Sequence, residues 1–226
     1  MASPRGGAGD AGDLRARGQT VLRQARTVVG LFGEKGSASL EPFELIKPAS
    51  FYARWRGYEV FHNGDRGLQY VYDPKRNEYM VYESRMPSVS IVLLGYQGFF
   101  GPDPAMASLG PVARRVRFDG RECLQARVRG LSGPTDVYLD PRTGLVAGWS
   151  LQSGGRTLVR VYRSVRVNAP VPEAHRAWTP PPGAKRTQLP FPGSELGAKG
   201  AEEGKGWSGR WESNPRSQLG RLELYH

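Results

Sequence analysis

From Ser37 to Val167 the apolar residues recur at every second position in short runs, and turn signals close most of the runs. A period of two is that of a strand with one buried face. Candidate strands are 37–46, 50–56, 58–62, 67–72, 78–83, 113–119, 121–129, 134–139, 144–151 and 156–167. Between them stand Asn63-Gly64-Asp65, Asp73-Pro74-Lys75-Arg76-Asn77, Asp119-Gly120, Asp140-Pro141-Arg142-Thr143-Gly144 and Ser153-Gly154-Gly155. Connections this short join antiparallel neighbours, so a meander of hairpins is the economical topology. A sheet of ten such strands can roll into a strongly curved, open barrel.

Two segments break the period. Residues 13–31 carry Leu14, Val21, Leu22, Ala25, Val28 and Val29 at helical spacing, which predicts an N-terminal amphipathic helix ending near Gly30 and Gly33. Residues 88–108 hold too many apolar side chains for a surface loop. They predict one or two short helices, interrupted at Gly98–Pro104, that cover the open face of the sheet as a lid. Outside the domain, residues 1–12 are expected to be a disordered tail, and the prolines of 169–194 to end the ladder. The domain then spans 13–186, with 187–226 a disordered linker and tail. One back-translation of Trp211 to Pro215 is similar to the reverse complement of a tRNA T-arm. Residues 211–226 are accordingly expected to carry no evolved function, an ordinary terminal helix or strand being the alternative.

Several classes are excluded by composition. A single cysteine among 226 residues rules out a disulfide framework and a cysteine zinc cluster. The longest apolar run, Ser90 to Gly95, is far short of a membrane span. The formal net charge of +11 invites a nucleic-acid reading. Yet 26 of the 32 basic residues are arginine, a bias that a GC-rich genome also produces. The densest group, Arg114, Arg115, Arg117, Arg121, Arg127 and Arg129, reads first as a solvated outer strand face. His62, His175 and His226 have no partners at metal-ligand spacing, and His62 reads as solvent-exposed before a turn. No Gly-x-Ser-x-Gly nucleophile elbow occurs, and Gly200 to Lys205 lacks the strand and the Ser or Thr of a phosphate loop. Cys123 reads as a small core residue. No catalytic residue, cofactor or metal is expected.

The aromatics concentrate in the early strands, and the later strands offer apolar residues such as Leu124, Val137, Leu139, Leu145, Trp149 and Val161. Partly covered, such a sheet would enclose a hydrophobic pocket; fully covered, it would have a filled core.

The order of short motifs resembles the LolA-like family, which includes the periplasmic carrier of outer-membrane lipoproteins and the RseB/MucB-type envelope-stress sensors. The front half carries Lys47-Pro48, Arg54-Trp55, Asp65-Arg66-Gly67 and Tyr70-Val71-Tyr72-Asp73-Pro74 with Asn77-Glu78-Tyr79. The back half carries Val137 to Leu145, Ser153 to Thr157, Tyr162 to Asn168, and Trp178-Thr179-Pro180-Pro181-Pro182-Gly183-Ala184. The resemblance implies an unclosed antiparallel β-barrel whose helices cover a cavity for acyl chains, bound without catalysis. It implies that Arg54 holds the helical lid. Here Phe51 stands apart from Arg54 by two residues, a departure from the family's pattern. Candidate ligand-binding residues are Phe51, Arg54, Trp55, Tyr70, Tyr72 and Tyr79 from the early strands. Leu93, Leu94 and Phe99 from the insertion join them, with Leu139 and Trp149 from the later strands.

The reading is a non-enzymatic, monomeric binder of lipid or acyl chains in the periplasm or cell envelope, although no signal peptide is read after Arg5. The alternative is an envelope regulatory module with a filled core and a protein partner. Nucleic-acid binding through 114–129 stands third. The positive charge further implies peripheral contact with anionic membrane.

Overall fold

The structure, a computed structural model, describes residues 9–83, 94–101, 107–128, 134–153 and 155–187. The fold is mainly β with few helices, and its large mixed sheet is not closed into a barrel. This is the unclosed, mainly antiparallel class expected from the period-two runs. The chain divides into two compact units, residues 1–49 with 88–172 and residues 50–87 with 173–226. Strands are numbered along the whole chain.

The first unit opens with helix α1 (Gly9–Gln24), followed by β1 (Thr27–Glu34) and β2 (Glu41–Ile46). Its later strands are β7 (Leu109–Phe118), β8 (Arg121–Val128), β9 (Thr135–Leu139), β10 (Val146–Ser153) and β11 (Arg156–Val167). They lie in the order β2-β1-β11-β10-β9-β8-β7. Here the helix expected over 13–31 is corrected: it stops at Gln24, and Val28 and Val29 are strand. Thr27, Val28 and Val29 are β-branched, which disfavours helix, and β1 is central, paired with β2 on one side and β11 on the other. Two full ladders outweigh one more helical turn. Strand β2 also begins at Glu41, later than the expected Ser37.

Helix α1 rests on the turn at 140–144 through bare backbone. A Cβ on Gly18 would lie 2.2 Å from the Gly144 carbonyl oxygen, and one on Gly144 would lie 2.1 Å from that of Leu14. Gly144 has φ +73°, and Asp140 Oδ1 shapes the turn by accepting from the Arg142 and Thr143 amides at 2.8 and 3.0 Å. The helix end is held by Lys47, whose ammonium donates to the carbonyls of Leu22 and Arg23. A cation there also meets the negative end of the helix dipole.

The sheet of this unit is buried on both faces. One face carries Phe32, Phe43, Val137, Leu139, Trp149 and Tyr162, all fully buried. The other carries Phe118, Cys123, Ala147 and Val161, with Tyr138 stacked on Phe118 at 3.8 Å.

The second unit is a meander of β3 (Ser50–Trp55), β4 (Tyr58–Asn63), β5 (Leu68–Asp73) and β6 (Glu78–Glu83). One-turn helix α2 (Glu173–Arg176) and the short strand β12 (Lys185–Arg186) complete it, β12 lying parallel to β6. The order is β12-β6-β5-β4-β3. The Pro-rich stretch therefore does not simply end the ladder: after Pro182 the chain adds a further strand, since Lys185 and Thr187 donate to the carbonyls of Asn77 and Tyr79 at 3.0 and 2.9 Å. Twelve strands are present among the described residues, against ten expected.

The β7–β8 turn gives a pH-dependent test. Asp119 and Gly120 both have positive φ, and both carboxylate oxygens of Asp119 accept from Arg163 at 2.8 Å. That hydrogen-bonded guanidinium holds the Asp119 carboxyl below its usual range. A lowered folded-state value stabilises above the ordinary carboxylate pKa and is lost as pH falls through the folded one. We expect Asp119→Asn to cost about 1 kcal/mol near neutrality, discounted for the half-exposed arginine. The gap to wild type should close below about pH 4, as read by denaturant titrations across pH.

Candidate functional site

The candidate residues fall in two places, one in each unit. In the first unit Leu139 and Trp149 share the aromatic face, and the chain after Leu94 lies against it. Leu94, Tyr96 and Phe99 are all buried, and residues Gln97–Phe99 form a single 3-10 turn. The Tyr96 ring sits 5.6 Å from Phe43 and 5.0 Å from Tyr162. Its hydroxyl donates to the Val146 carbonyl at 2.7 Å, and Trp149 Nε1 donates to the Tyr162 hydroxyl at 3.1 Å. Burial raises both phenols well above the ordinary tyrosine value, so they stay neutral. Gly95 permits this approach: it has φ +89°, and a Cβ there would meet Val146 at 2.2 Å. The Lys47 ammonium lies 5.0 Å from the Phe99 ring centre, joining the helix end to the same segment.

Of the lid expected over 88–108, residues 88–93, Leu93 included, and 102–106 lie outside the described residues. Within the described part, the backbone of 94–101 is a 3-10 turn with bends rather than an α-helix.

In the second unit the register separates the candidates. Tyr70, Tyr72, Tyr79 and Arg54 share one face with Tyr52 and Phe61, whereas Phe51 and Trp55 point to the other. The first face is closed by Trp178, stacked on Phe61 at 4.4 Å and against Tyr70 and Tyr72 at 5.0 and 5.5 Å. His175 stacks on Tyr52 at 4.0 Å. Arg54 is half exposed and pairs with Glu59 across its own hairpin at 3.2 Å.

The opposite face holds Phe51, Ala53, Val60 and Val71, all buried, with His62 and Gln69. His62 is thus a correction: it is fully buried, because it stands mid-sheet between Phe51 and Gln69 instead of at a free strand end. Gln69 Nε2 donates to the Tyr82 hydroxyl, whose ionisation burial suppresses.

Tyr96, Tyr162, Trp178 and Lys47 were not singled out as site residues from the sequence. The signals were present for Trp178, as an aromatic ahead of a triple proline, and for Lys47, ahead of Pro48. Tyr96 was hidden by its place just ahead of Gly98, where the break in the expected helices begins. Arg114, Arg115, Arg117 and Arg127 are exposed, Arg121 is half-buried and donates to the Tyr162 carbonyl at 2.7 Å, and Arg115 and Arg127 pair with Glu122 and Asp136 at 2.7 and 2.9 Å. Cys123 is buried, and burial raises its thiol pKa, which disfavours the thiolate. Among the described residues no three His, Cys, Asp or Glu side chains converge as a metal needs, and no helix is long and apolar enough to cross a membrane.

No protein-family model matches the chain, and no curated protein matches it in sequence. Its fold is similar to solved structures. An uncharacterized conserved protein from Thermus thermophilus matches 79% of this chain and 99% of its own at 8% identity, with a TM-score of 0.54. LprF from Mycobacterium bovis matches at 9% identity and TM-score 0.46, covering 75% of this chain and 98% of its own. The MucA/MucB complex structure of Pseudomonas aeruginosa matches at 16% identity and TM-score 0.38, covering 75% and 61%. The likeness is one of fold.

The Trp178 contacts set an expectation for the second unit. Trp178→Ala should destabilise it by about 2–3 kcal/mol, less than a fully buried Trp truncation. It should also speed amide exchange at Lys185 and Thr187, read by hydrogen–deuterium exchange, because the strand they form has no other ring to anchor it among the described contacts.

Proposed function

We propose that the chain binds lipid acyl chains, without catalysis, against the aromatic face of the first unit, in the bacterial envelope as a carrier or sensor. The observation that carries the reading is Tyr96. It is a fully buried aromatic that fills the sheet face from a segment that is not itself a strand, with one hydroxyl bond to Val146. Such a segment leaves without breaking a ladder.

Magnitudes favour an exchange. Withdrawing Tyr96 and Phe99 re-exposes two aromatic side chains, at about 1.5–3 kcal/mol each, and gives up a hydrogen bond of about 1 kcal/mol. An acyl chain burying about ten carbons returns about 8 kcal/mol before ordering costs. The two sides nearly balance, which suits a protein that must both take up and release its cargo. Leu139, Trp149, Phe32, Phe43 and Tyr162 would line the vacated space, with Leu93, Leu94 and Phe99 on the moving segment. Phe51, Arg54, Trp55, Tyr70, Tyr72 and Tyr79 remain candidate contacts under this reading.

A second reading has its own observation. Trp149, Tyr96, Tyr162, Phe32 and Phe43 leave nothing of their rings exposed, as in a permanently filled core. The chain would then act through an envelope protein partner.

Two variants separate the readings. Leu94→Asp places a charge at a buried position and should abolish retention of a fluorescent fatty acid. Tyr96→Ala removes the plug and should raise fatty-acid affinity by roughly tenfold, the binding equivalent of about 1.4 kcal/mol. Mass spectrometry of a solvent extract of gently purified protein should find a stoichiometric lipid. A clean extract, together with no uptake by wild type or by Tyr96→Ala, would leave the filled-core reading standing.

A further inference from the structure

A different surface carries an inference of its own, on the second unit. In the β3–β6 meander the β3–β4 and β5–β6 turns project from the same end of the strands, and the β4–β5 turn from the other. Strand β12 runs parallel to β6 and enters opposite Glu78, so Lys185 and Arg186 join the first end. That end therefore gathers six exposed cations, Arg54, Arg56, Lys75, Arg76, Lys185 and Arg186, against three carboxylates, Glu59, Asp73 and Glu78. Two of those carboxylates are engaged: Glu59 with Arg54, and Asp73 with the Lys75 and Arg76 amides. Among the described residues, the opposite end has Arg66 and Arg176 against Asp65, Glu83 and Glu173, a balance of the other sign. The charge is polarised along the strands.

The tip of the β3–β4 hairpin adds two amphipathic rings. Trp55 and Tyr58 face each other across the last ladder pair, both half-exposed. The turn itself is Arg56-Gly57, with φ of +52° and +84°. A two-residue turn of this kind favours Asn or Gly at its first position. A long cation held there in the left-handed region strains the backbone by about 1–2 kcal/mol, and such strain points to use of the side chain. The Arg56 guanidinium lies over the Trp55 ring at 5.6 Å. Indole and phenol rings settle at the headgroup level of a bilayer, and arginine bridges phosphates from the same depth. Two neighbouring hairpin turns are convex tips. They meet a surface and do not enclose a strand.

We propose that this end of the second unit, the Trp55-Arg56-Gly57-Tyr58 tip with Lys75, Arg76 and Lys185 beside it, docks on an anionic phospholipid surface. Trp55 and Tyr58 enter the interface, and the cations take the headgroup phosphates. The proposal does not rest on acyl-chain carriage: docking would hold for a sensor as well as for a carrier.

The test uses the full chain and large vesicles of phosphatidylglycerol and phosphatidylcholine in equal parts, with pure phosphatidylcholine as the neutral surface. Arg56→Gly/Lys75→Ser/Arg76→Ser removes three charges, and its glycine relaxes the turn, so the fold is kept. A control of equal charge, Arg115→Gln/Arg117→Gln/Arg127→Gln, removes three exposed arginines from the first unit. Sedimentation should show binding to the anionic vesicles that falls with salt. The tip variant should lose at least tenfold, within the roughly hundredfold ceiling of three surface cations, and the control less than threefold. Trp55→Phe should weaken anionic binding and remove a blue shift of tryptophan emission seen with wild type. Equal losses in the two triple variants would overturn the proposal, as would equal binding to neutral vesicles. A duplex oligonucleotide that displaces the chain from vesicles through the same three residues would overturn it in favour of nucleic acid.

Discussion

The pairing of β1 on both edges is the constraint on which the first unit depends. Val28 stands opposite Leu45 on one side and Val167 on the other, and Phe32 opposite Tyr162. This joins the start of the chain to the last long strand, so the hairpins between 109 and 167 and the β1–β2 pair form one ladder order. It also sets Phe32, Phe43 and Tyr162 side by side, 6.0 to 6.1 Å apart, as the seat on which Tyr96 rests. The anchoring bonds at the ends, Thr27 Oγ1 to the Ala169 carbonyl and the Arg26 amide to Asn168, hold the register where the pairing begins and ends.

Two hydrogen bonds fix the polar atoms of this seat. Tyr96 donates to the Val146 carbonyl and Trp149 to the Tyr162 hydroxyl, and the Tyr96 and Tyr162 rings meet edge-on at 5.0 Å. Burial keeps both phenols neutral. Under the proposed reading, this face offers apolar area whose filler, Tyr96, gives way to a ligand. In the second unit the same device is fixed differently: Trp178 is locked against three rings by a strand that follows it.

Turn chemistry made most of the sheet legible. Asp73 and Asp140 cap their turns through side-chain oxygens, and Gly120, Gly144 and Gly155 take the positive φ those turns require. Local rules of that kind act within a few residues, and a sequence displays them. Strand β1 was not legible, because Val28 and Val29 continue the helical spacing of Leu14 to Ala25 and only the partners at 41–46 and 156–167 decide otherwise. The burial of His62 failed for the same reason, its neighbours Phe51 and Gln69 being set by register. Leu139 and Trp149 share one face, and the split of Phe51 and Trp55 from Tyr70, Tyr72 and Tyr79 follows from cross-strand parity that single runs do not reveal. Tyr96 and Trp178 act at a distance in sequence, Tyr96 fifty residues from its acceptor.

The central claim is that Tyr96 and Phe99 yield their place to an acyl chain. Hydrogen–deuterium exchange of the full chain, with and without a saturating long-chain fatty acid, tests it most directly. The account predicts faster exchange of the Phe99 amide, now bonded to the Tyr96 carbonyl, while β1, β10 and β11 stay as protected as before or become more so. Unchanged exchange at 94–99 with fatty acid demonstrably bound would contradict it, because the ligand would then occupy some other place and leave the aromatic seat filled.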